Sequence, residues 1–292
     1  MQGSESTSAP GPDHRRGIII FLAIAFGLAW AGFIPELFGR GGSPALMPFA
    51  PAIAAFIVRK WVTREGFADS GWRPRPGRWR LYLLAFLWPV ATTLLSVLIA
   101  DAAGVGPADL SFPWGVKGPG FLTLIGWMAV SVAIAPIIFG EEFGWRGYLQ
   151  VRLLADNPWK AAIATGLIWG VWHYPLILSD SEQYGSLWVG LLVFPIATTN
   201  LSIFLGWLRE RTGDVWSTSI GHGSNNVTED SWHRLAFTGS RDGTPSSGAD
   251  AVLVVAEVIV LTGVVLADRL LRRSNRAKLH HQPNRIPTLR PD

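Results

Sequence analysis

The chain has 292 residues, of which 49% are hydrophobic and only 16% charged, and its mean hydropathy is +0.28. Soluble domains usually carry roughly 25% charged residues, so this composition indicates a membrane protein. Cysteine is absent, which excludes disulfides, thiolate zinc sites and cysteine nucleophiles. The net charge is +4 and the pI about 9.8. The basic residues lie in blocks between apolar runs, however, so we predict membrane lipid as a partner and no nucleic acid.

Eight apolar runs follow one another and predict an all-α fold, a polytopic bundle of about eight transmembrane helices. A run of about 20 apolar residues can cross a bilayer. A cleaved signal peptide is the alternative for the first run, but its apolar core has only about 7–15 residues. The seventh run is short and polar, and hydropathy alone would miss it. The runs cover 17–38, 45–62, 81–100, 121 onward with a possible helical continuation to 154, 161–178, 187–208, 215–227 and 251–270.

The distribution of Lys and Arg predicts the orientation of this bundle. With a cytoplasmic N-terminus and eight alternating segments, 21 of the 25 basic residues lie inside and 4 outside. Cytoplasmic loops carry such an excess of positive charge. Both termini are therefore predicted to be cytoplasmic. Several tryptophans lie near the predicted membrane edges, as in an interfacial belt: Trp61, Trp79, Trp159, Trp188 and Trp207.

Two adjacent acids and a base interrupt the fourth apolar run: Glu141, Glu142 and Arg146. Charge inside such a run is costly, so it suggests a functional site. On a helix, Glu142 and Arg146 face one another because they are four residues apart. Glu141 points about 100° away from that pair and can meet another helix. The structural alternative is a helix that leaves the membrane with its charges among the headgroups.

Two further polar clusters lie in later segments. His173 follows Trp169 by four residues in the fifth run, and His222 precedes Asn226 by four in the seventh. At about 1.5 Å per residue, both imidazoles and Glu141 lie about 12–20 Å from the same predicted membrane edge. The alternatives are a packing histidine for His173 and a polar loop outside the membrane for the third cluster.

Carboxylates and imidazoles that meet in a dry cavity are suited to hydrolysis. A carboxylate, helped by an imidazole, can deprotonate a water that attacks a carbonyl carbon. A second imidazole and an amide can then stabilise the resulting oxyanion. The same set could instead hold a zinc ion through Glu141, His173 and His222, which would lower the pKa of bound water toward about 7. Zinc is thus a possible cofactor, and the residues alone leave both versions open.

The motifs Glu141-Glu142-x-x-x-Arg146, Trp169-x-x-x-His173 and His222-x-x-x-Asn226 resemble those of the CPBP family of intramembrane proteases. That family includes the type II CAAX prenyl endopeptidases and bacteriocin-immunity-type proteins. The resemblance covers roughly 120–270 and depends on three motifs in the family's order. One departure is Trp169, where the family usually has Phe, and we expect this change to require only repacking.

By this resemblance, Glu141 is the general base and His173 assists it. His222 and Asn226 bind the oxyanion or help to hold a metal, while Glu142 and Arg146 support the site. We expect a disordered cytoplasmic tail at 1–16, three N-terminal transmembrane helices at 17–112, a CPBP-like protease core at 113–272 and a basic cytoplasmic tail at 273–292. The resemblance implies an integral, multi-pass protein of a bacterial-type plasma membrane.

The expected activity is hydrolysis of a peptide bond in a membrane-anchored or transmembrane protein, of the CAAX-processing type. Two alternatives remain from the sequence. A transporter also uses buried Glu and His, although the chain has no internal repeat of the kind that many carriers contain. A catalytically silent immunity or scaffold protein could keep the same fold. The signatures of other intramembrane proteases, such as HExxH, are absent.

Overall fold

The computed structural model describes residues 12–38, 40–42, 44–104, 120–179, 186–228 and 247–280, and within these ranges it is helical and has no strand. Ten α-helices lie in the described ranges: α1 (Pro12–Ala31), α2 (Ile34–Leu37), α3 (Ala50–Ile57), α4 (Trp79–Ala102), α5 (Gly120–Gly144), α6 (Pro158–Trp172), α7 (Tyr174–Leu178), α8 (Leu187–Thr212), α9 (Trp216–Thr228) and α10 (Ser247–His280). Short 3-10 segments precede α3 and α4. A π-helical turn follows α3 at Val58–Val62, and another follows α5 at Trp145–Leu149.

The all-α prediction is confirmed, and each of the eight apolar runs overlaps a helix. Five segments of the described residues are long and apolar enough to cross a membrane. The chain is therefore a helical bundle of an integral membrane protein. The total number of spans and the side of the termini stay predictions. The five segments are His14–Ala31, Ala45–Val62, Pro76–Ala102, Pro158–Leu178 and Leu187–Thr212.

The short seventh run forms α9, a helix of 13 residues. Such a helix is about 20 Å long, which is shorter than the roughly 30 Å hydrocarbon core of a bilayer. It packs against α4, α5 and α8, and most of its polar side chains are buried. The third cluster is therefore on a helix inside the bundle, and the alternative of a polar loop is wrong.

Several boundaries differ from the sequence prediction. α1 begins at Pro12, so residues 12–16 are helical where a disordered tail was expected. Proline suits the first turn of a helix because its missing N–H is not needed there. The fourth run does not stay helical to Leu154, because it changes to a π-turn at 145–149 and then to turns. α10 continues to His280, so the predicted tail at 273–292 begins as helix. Residues 1–11 and 281–292 lie outside the described residues.

Glycines bring the helices of the bundle into close contact. A Cβ at Gly144 of α5 would overlap Pro51 of α3. A Cβ at Gly170 of α6 would lie 2.6 Å from the Cα of Pro195 in α8. Small residues at such crossings allow helix backbones to approach within membranes. The end of α5 is thus packed against the N-terminal helices, and α6 is packed against α8.

Three arginines hold the carbonyl end of α5 and its π-turn. Arg59 donates Nη2–H to the Gly147 carbonyl at 2.6 Å, and Arg209 donates Nε–H to the Arg146 carbonyl at 3.3 Å. Arg152 donates Nη1–H to the Tyr148 carbonyl at 3.2 Å. The last carbonyls of a helix lack partners within the helix and carry partial negative charge. These guanidinium groups satisfy them and fix the position of the turn that contains Arg146.

The loop between α3 and α4 supplies carboxylates to these arginines. Asp69 accepts from Arg59 at 2.7 Å and from Arg152 at 2.9 Å. Glu65 pairs with Arg152 at 2.9 Å, and the Asp69 carbonyl accepts from Arg209 at 2.6 Å. The loop between α3 and α4 is therefore folded onto the end of α5 through ion pairs.

Candidate active site

The three sequence motifs come from three neighbouring elements of the bundle. Glu141 and Glu142 are in the last turn of α5, and Arg146 is in the π-turn that follows. Single π-helical turns occur frequently at functional sites. His173 is the C-cap of α6, and His222 is in the middle of α9.

Glu142 is fully buried and bonded to two groups. Its Oε1 accepts from Arg146 Nη1 at 2.7 Å and lies 3.0 Å from His222 Nδ1. Because this carboxylate is paired with an arginine, it is the acceptor and His222 Nδ1 carries the donated proton. Glu142 thereby fixes the orientation of the His222 ring and leaves Nε2 as the free nitrogen. The predicted Glu142–Arg146 contact is present as a buried ion pair.

Glu141 has a different partner from its neighbour. Its Oε2 accepts the indole N–H of Trp169 at 3.1 Å. The residue retains 7% exposure, whereas Glu142 has none. The two adjacent glutamates therefore bond to different residues, as their separation of about 100° on the helix predicts.

His173 is held by the end of its own helix. Its Nδ1 lies 2.9 Å from the carbonyl oxygen of Trp169. A carbonyl can only accept, so Nδ1 donates and the neutral ring has its lone pair on Nε2. The rings of Trp172 and Phe194 pack on the imidazole at centroid distances of 4.8 and 5.1 Å. Pro175, two residues later, cannot continue the hydrogen bonds of α6, and the fifth run accordingly divides into α6 and α7.

Trp169 connects the members of the site. Beyond its bond to Glu141, its ring lies 4.8 Å from the His222 ring and 5.5 Å from the His173 ring, by centroids. The Arg146 guanidinium carbon lies 4.5 Å from the centroid of the indole ring. Our expectation of simple repacking at this position is wrong, because a phenylalanine could not donate to Glu141. The sequence did contain a signal for this bond, because a buried indole N–H usually has a hydrogen-bond acceptor.

Asn226 is placed differently from the other predicted residues. Its side chain is exposed, whereas its neighbour Asn225 is 8% exposed. Among the described residues, no hydrogen bond joins the Asn226 amide to Glu141, Glu142 or an imidazole. The structure thus brings Glu141, Glu142, Arg146, His173 and His222 together around Trp169. Asn226 lies one turn after His222 on α9, with an exposed side chain.

The sequence left open a zinc ion held by Glu141, His173 and His222. Within the described ranges, no three His, Cys, Asp or Glu side chains form a group that could hold a metal ion. Glu141, His173 and His222 are thus not assembled as a metal site in the part of the chain that the structure describes, and we derive no step through a metal.

The sequence did not indicate how α1 contributes to the site. Trp172 donates its indole N–H to the Ala25 carbonyl at 3.1 Å, and Trp30 donates to the Trp172 carbonyl at 3.0 Å. These two bonds fix the end of α6 at the residue before His173. The sequence shows that tryptophan donors are present, but it does not show which backbone carbonyls accept their hydrogen bonds.

Comparison with known proteins agrees with the motifs. Residues 121–228 match the family described as type II CAAX prenyl endopeptidase Rce1-like. An alignment of 141 residues shows 33% identity to a protein named CAAX prenyl protease 2 from Methanococcus maripaludis. It covers 43% of this chain and 46% of that relative, so the match spans about half the length of the relative. The matched region contains every candidate site residue, and this likeness agrees with the family that the three motifs resemble.

Proposed function

We propose that this protein is an intramembrane endopeptidase in which Glu141 activates a water molecule. The observation that carries the proposal is the difference between two adjacent glutamates. Glu142 is sealed and bonded to Arg146 and His222, whereas Glu141 keeps some exposure and is bonded at Oε2 by Trp169. Of the two carboxylates, Glu141 is therefore the one with an oxygen available to a water.

In this proposal the water attacks the carbonyl carbon of the scissile peptide bond. As its oxygen bonds to that carbon, one proton passes to the Glu141 carboxylate. The tetrahedral intermediate then collapses, the C–N bond breaks, and the same proton passes to the leaving amine. His173 assists through Nε2, since its Nδ1 is committed to the Trp169 carbonyl.

The proposed oxyanion donors are His222 and Asn226. His222 Nδ1 is bonded to Glu142, so the ring can donate from Nε2 when it carries both protons. Asn226 lies one turn later on α9 and is exposed, which leaves its amide available to a substrate. Donors of this kind contribute through preorganisation toward the charge that develops in the transition state.

For the substrate we propose a membrane-associated protein with a prenylated CAAX terminus. The name of the relative and the description of the matched family support this class. In such a substrate the scissile bond lies close to a membrane-inserted prenyl group. A site built between transmembrane helices is suited to a bond at that position.

The direct test uses the full chain, purified and reconstituted into liposomes with a farnesylated CAAX reporter peptide. Mass spectrometry should detect the released tripeptide. Glu141→Gln and His173→Ala should each lower its rate of release by roughly 100-fold or more, the usual contribution of general acid–base catalysis. His222→Ala should lower it by a similar factor through loss of an oxyanion donor. Asp156→Asn, at an exposed turn, is the matched control and should remain active.

The amount of each variant in the membrane must equal that of the wild type. Full activity of Glu141→Gln would refute the proposal. No cleavage by the wild type of prenylated or unprenylated reporters would instead favour the transporter or silent scaffold alternative.

A further inference from the structure

A cavity of about 340 Å³ lies between the start of α6, the end of α8 and α10. It contains none of the residues of the candidate active site. Its lining includes two tryptophans, two acids and one base. The lining includes Trp159, Ile203, Trp207, Glu210, Asp268 and Arg269.

The sequences of the three helices indicate where this cavity lies relative to the membrane. On α8 the apolar run ends where Arg209, Glu210 and Arg211 begin, and on α10 it ends at Asp268. α6 begins with Pro158-Trp159-Lys160 and becomes apolar at Ala161. All three helices thus change from apolar to charged at the cavity. Tryptophan is enriched at this level of a membrane, beside the lipid headgroups.

The charges in the cavity are mixed. Asp268 is paired with Arg211, while Glu210 and Arg269 have exposed side chains of opposite sign. The Arg211 guanidinium carbon already lies 5.7 Å from the Trp207 ring centroid, and Trp159 remains 40% exposed. A cation is attracted to the face of an indole ring. The cavity therefore offers a place for one positive and one negative group side by side.

We propose that this cavity binds the headgroup of a zwitterionic aminophospholipid, such as phosphatidylethanolamine. The ammonium would contact Trp159 and the Glu210 carboxylate, and the phosphate would contact Arg269. Ile203 lies seven residues before Glu210, about 10 Å deeper along α8. It provides an apolar wall for the start of an acyl chain. The proposal is independent of the proteolytic activity.

The test measures bound lipid on the purified full chain by native mass spectrometry, after exchange with dioleoyl-phosphatidylethanolamine or dioleoyl-phosphatidylglycerol. We expect the ethanolamine lipid to be retained in preference to the anionic one. Glu210→Gln and Trp159→Ala should each lower its retention roughly fivefold or more, the size expected from losing a charge partner or a cation–π contact. Trp188→Ala is the control, since Trp188 is 74% exposed at the other end of α8.

Equal retention of the two lipids by the wild type would overturn the proposal, whatever the variants do. It would also be overturned if Trp188→Ala lowered retention as much as Trp159→Ala. Soluble phosphoethanolamine serves as a further probe and should not compete at equal concentration, because it has no acyl chains. Competition by it would show that the cavity binds the free headgroup and not the membrane lipid.

Discussion

Trp169 of α6 donates its indole N–H to Glu141 Oε2 of α5 at 3.1 Å. The backbone carbonyl of the same residue accepts from His173 at 2.9 Å. One tryptophan therefore positions both the carboxylate and the imidazole that are proposed to activate water. A phenylalanine at this position would keep the ring and lose the bond to Glu141.

The first prediction concerns Trp169→Phe. A hydrogen bond to a charged group contributes about 1.5–3 kcal/mol, so losing it should misplace Glu141 and lower kcat about 10-fold or more. KM should change little, because the ring that lines the site is kept. The measurement is steady-state cleavage of a CAAX reporter peptide in liposomes.

Trp172→Phe is the matched control for this variant. Trp172 is equally buried, but it donates to the Ala25 carbonyl of α1 and not to the carboxylate. The Trp172→Phe variant should have a lower melting temperature, and its kcat should fall less than that of Trp169→Phe. Equal losses of kcat in the two variants would mean that Trp169 acts only through packing.

The second prediction concerns the buried pair of Glu142 and Arg146. Both side chains are fully buried, and the Arg146 Nη1 to Glu142 Oε1 distance is 2.7 Å. Arg146→Ala would leave Glu142 as a buried charge without its arginine. Breaking such a pair typically costs about 3–5 kcal/mol. We expect a strong fall in the amount of protein in the membrane and in its melting temperature.

The double variant Arg146→Met with Glu142→Gln tests the cause of that fall. It removes both charges and keeps similar volumes, so abundance should recover above that of Arg146→Ala while activity stays low. If Arg146→Ala accumulates like the wild type, the pair does not have the structural role assigned to it.

The sequence was sufficient to predict the helical class and most of the cluster. Spacing alone placed Glu142 opposite Arg146 and turned Glu141 toward another helix, because a helix has a fixed angle per residue. The three motifs in order also indicated the family. These features are local, or are carried by residue types that are costly inside an apolar bundle.

The remaining features depend on contacts between distant segments. Spacing placed Asn226 one turn after His222, but it did not give that the Asn226 side chain is exposed and the Asn225 side chain buried. Which tryptophan donates to which carbonyl is set by helix packing, as for Trp172 and Ala25. The π-turn after Gly144 has no sequence signature that periodicity could detect. Residue spacing within one helix does not determine how neighbouring helices are aligned, so it could not predict these contacts.

The third prediction concerns pH and Asp69, in the loop between α3 and α4. Partial burial acts to raise the pKa of Asp69, but the hydrogen bond from Arg59 and the charge of Arg152 outweigh it. The pKa of this carboxyl is therefore lowered below its usual value of 3.8. Because the folded-state pKa is lowered, the stabilisation is fully present above the unfolded-state value. It is lost as the pH falls through the folded-state value.

Asp69→Asn should consequently lower the melting temperature at pH 7, and the difference from wild type should shrink as the pH falls below 3.8. Its side chain is 54% exposed, so solvent screening limits the effect to about 0.5–1 kcal/mol. Thermal unfolding in detergent across this range is the measurement. Exposed Asp156→Asn is the control. A difference that grows as the pH falls would contradict the assignment.

The fourth prediction concerns metal content. In the described part of the chain, no three His, Cys, Asp or Glu side chains form a group that could hold a metal ion. We therefore expect purified, active protein to contain well below one zinc ion per chain by plasma mass spectrometry. Cleavage should persist after dialysis against a chelator, and His173→Ala should leave the zinc content unchanged while it lowers activity. About one zinc per chain, lost together with activity on chelation and restored by added zinc, would require Glu141, His173 and His222 to rearrange into a metal site.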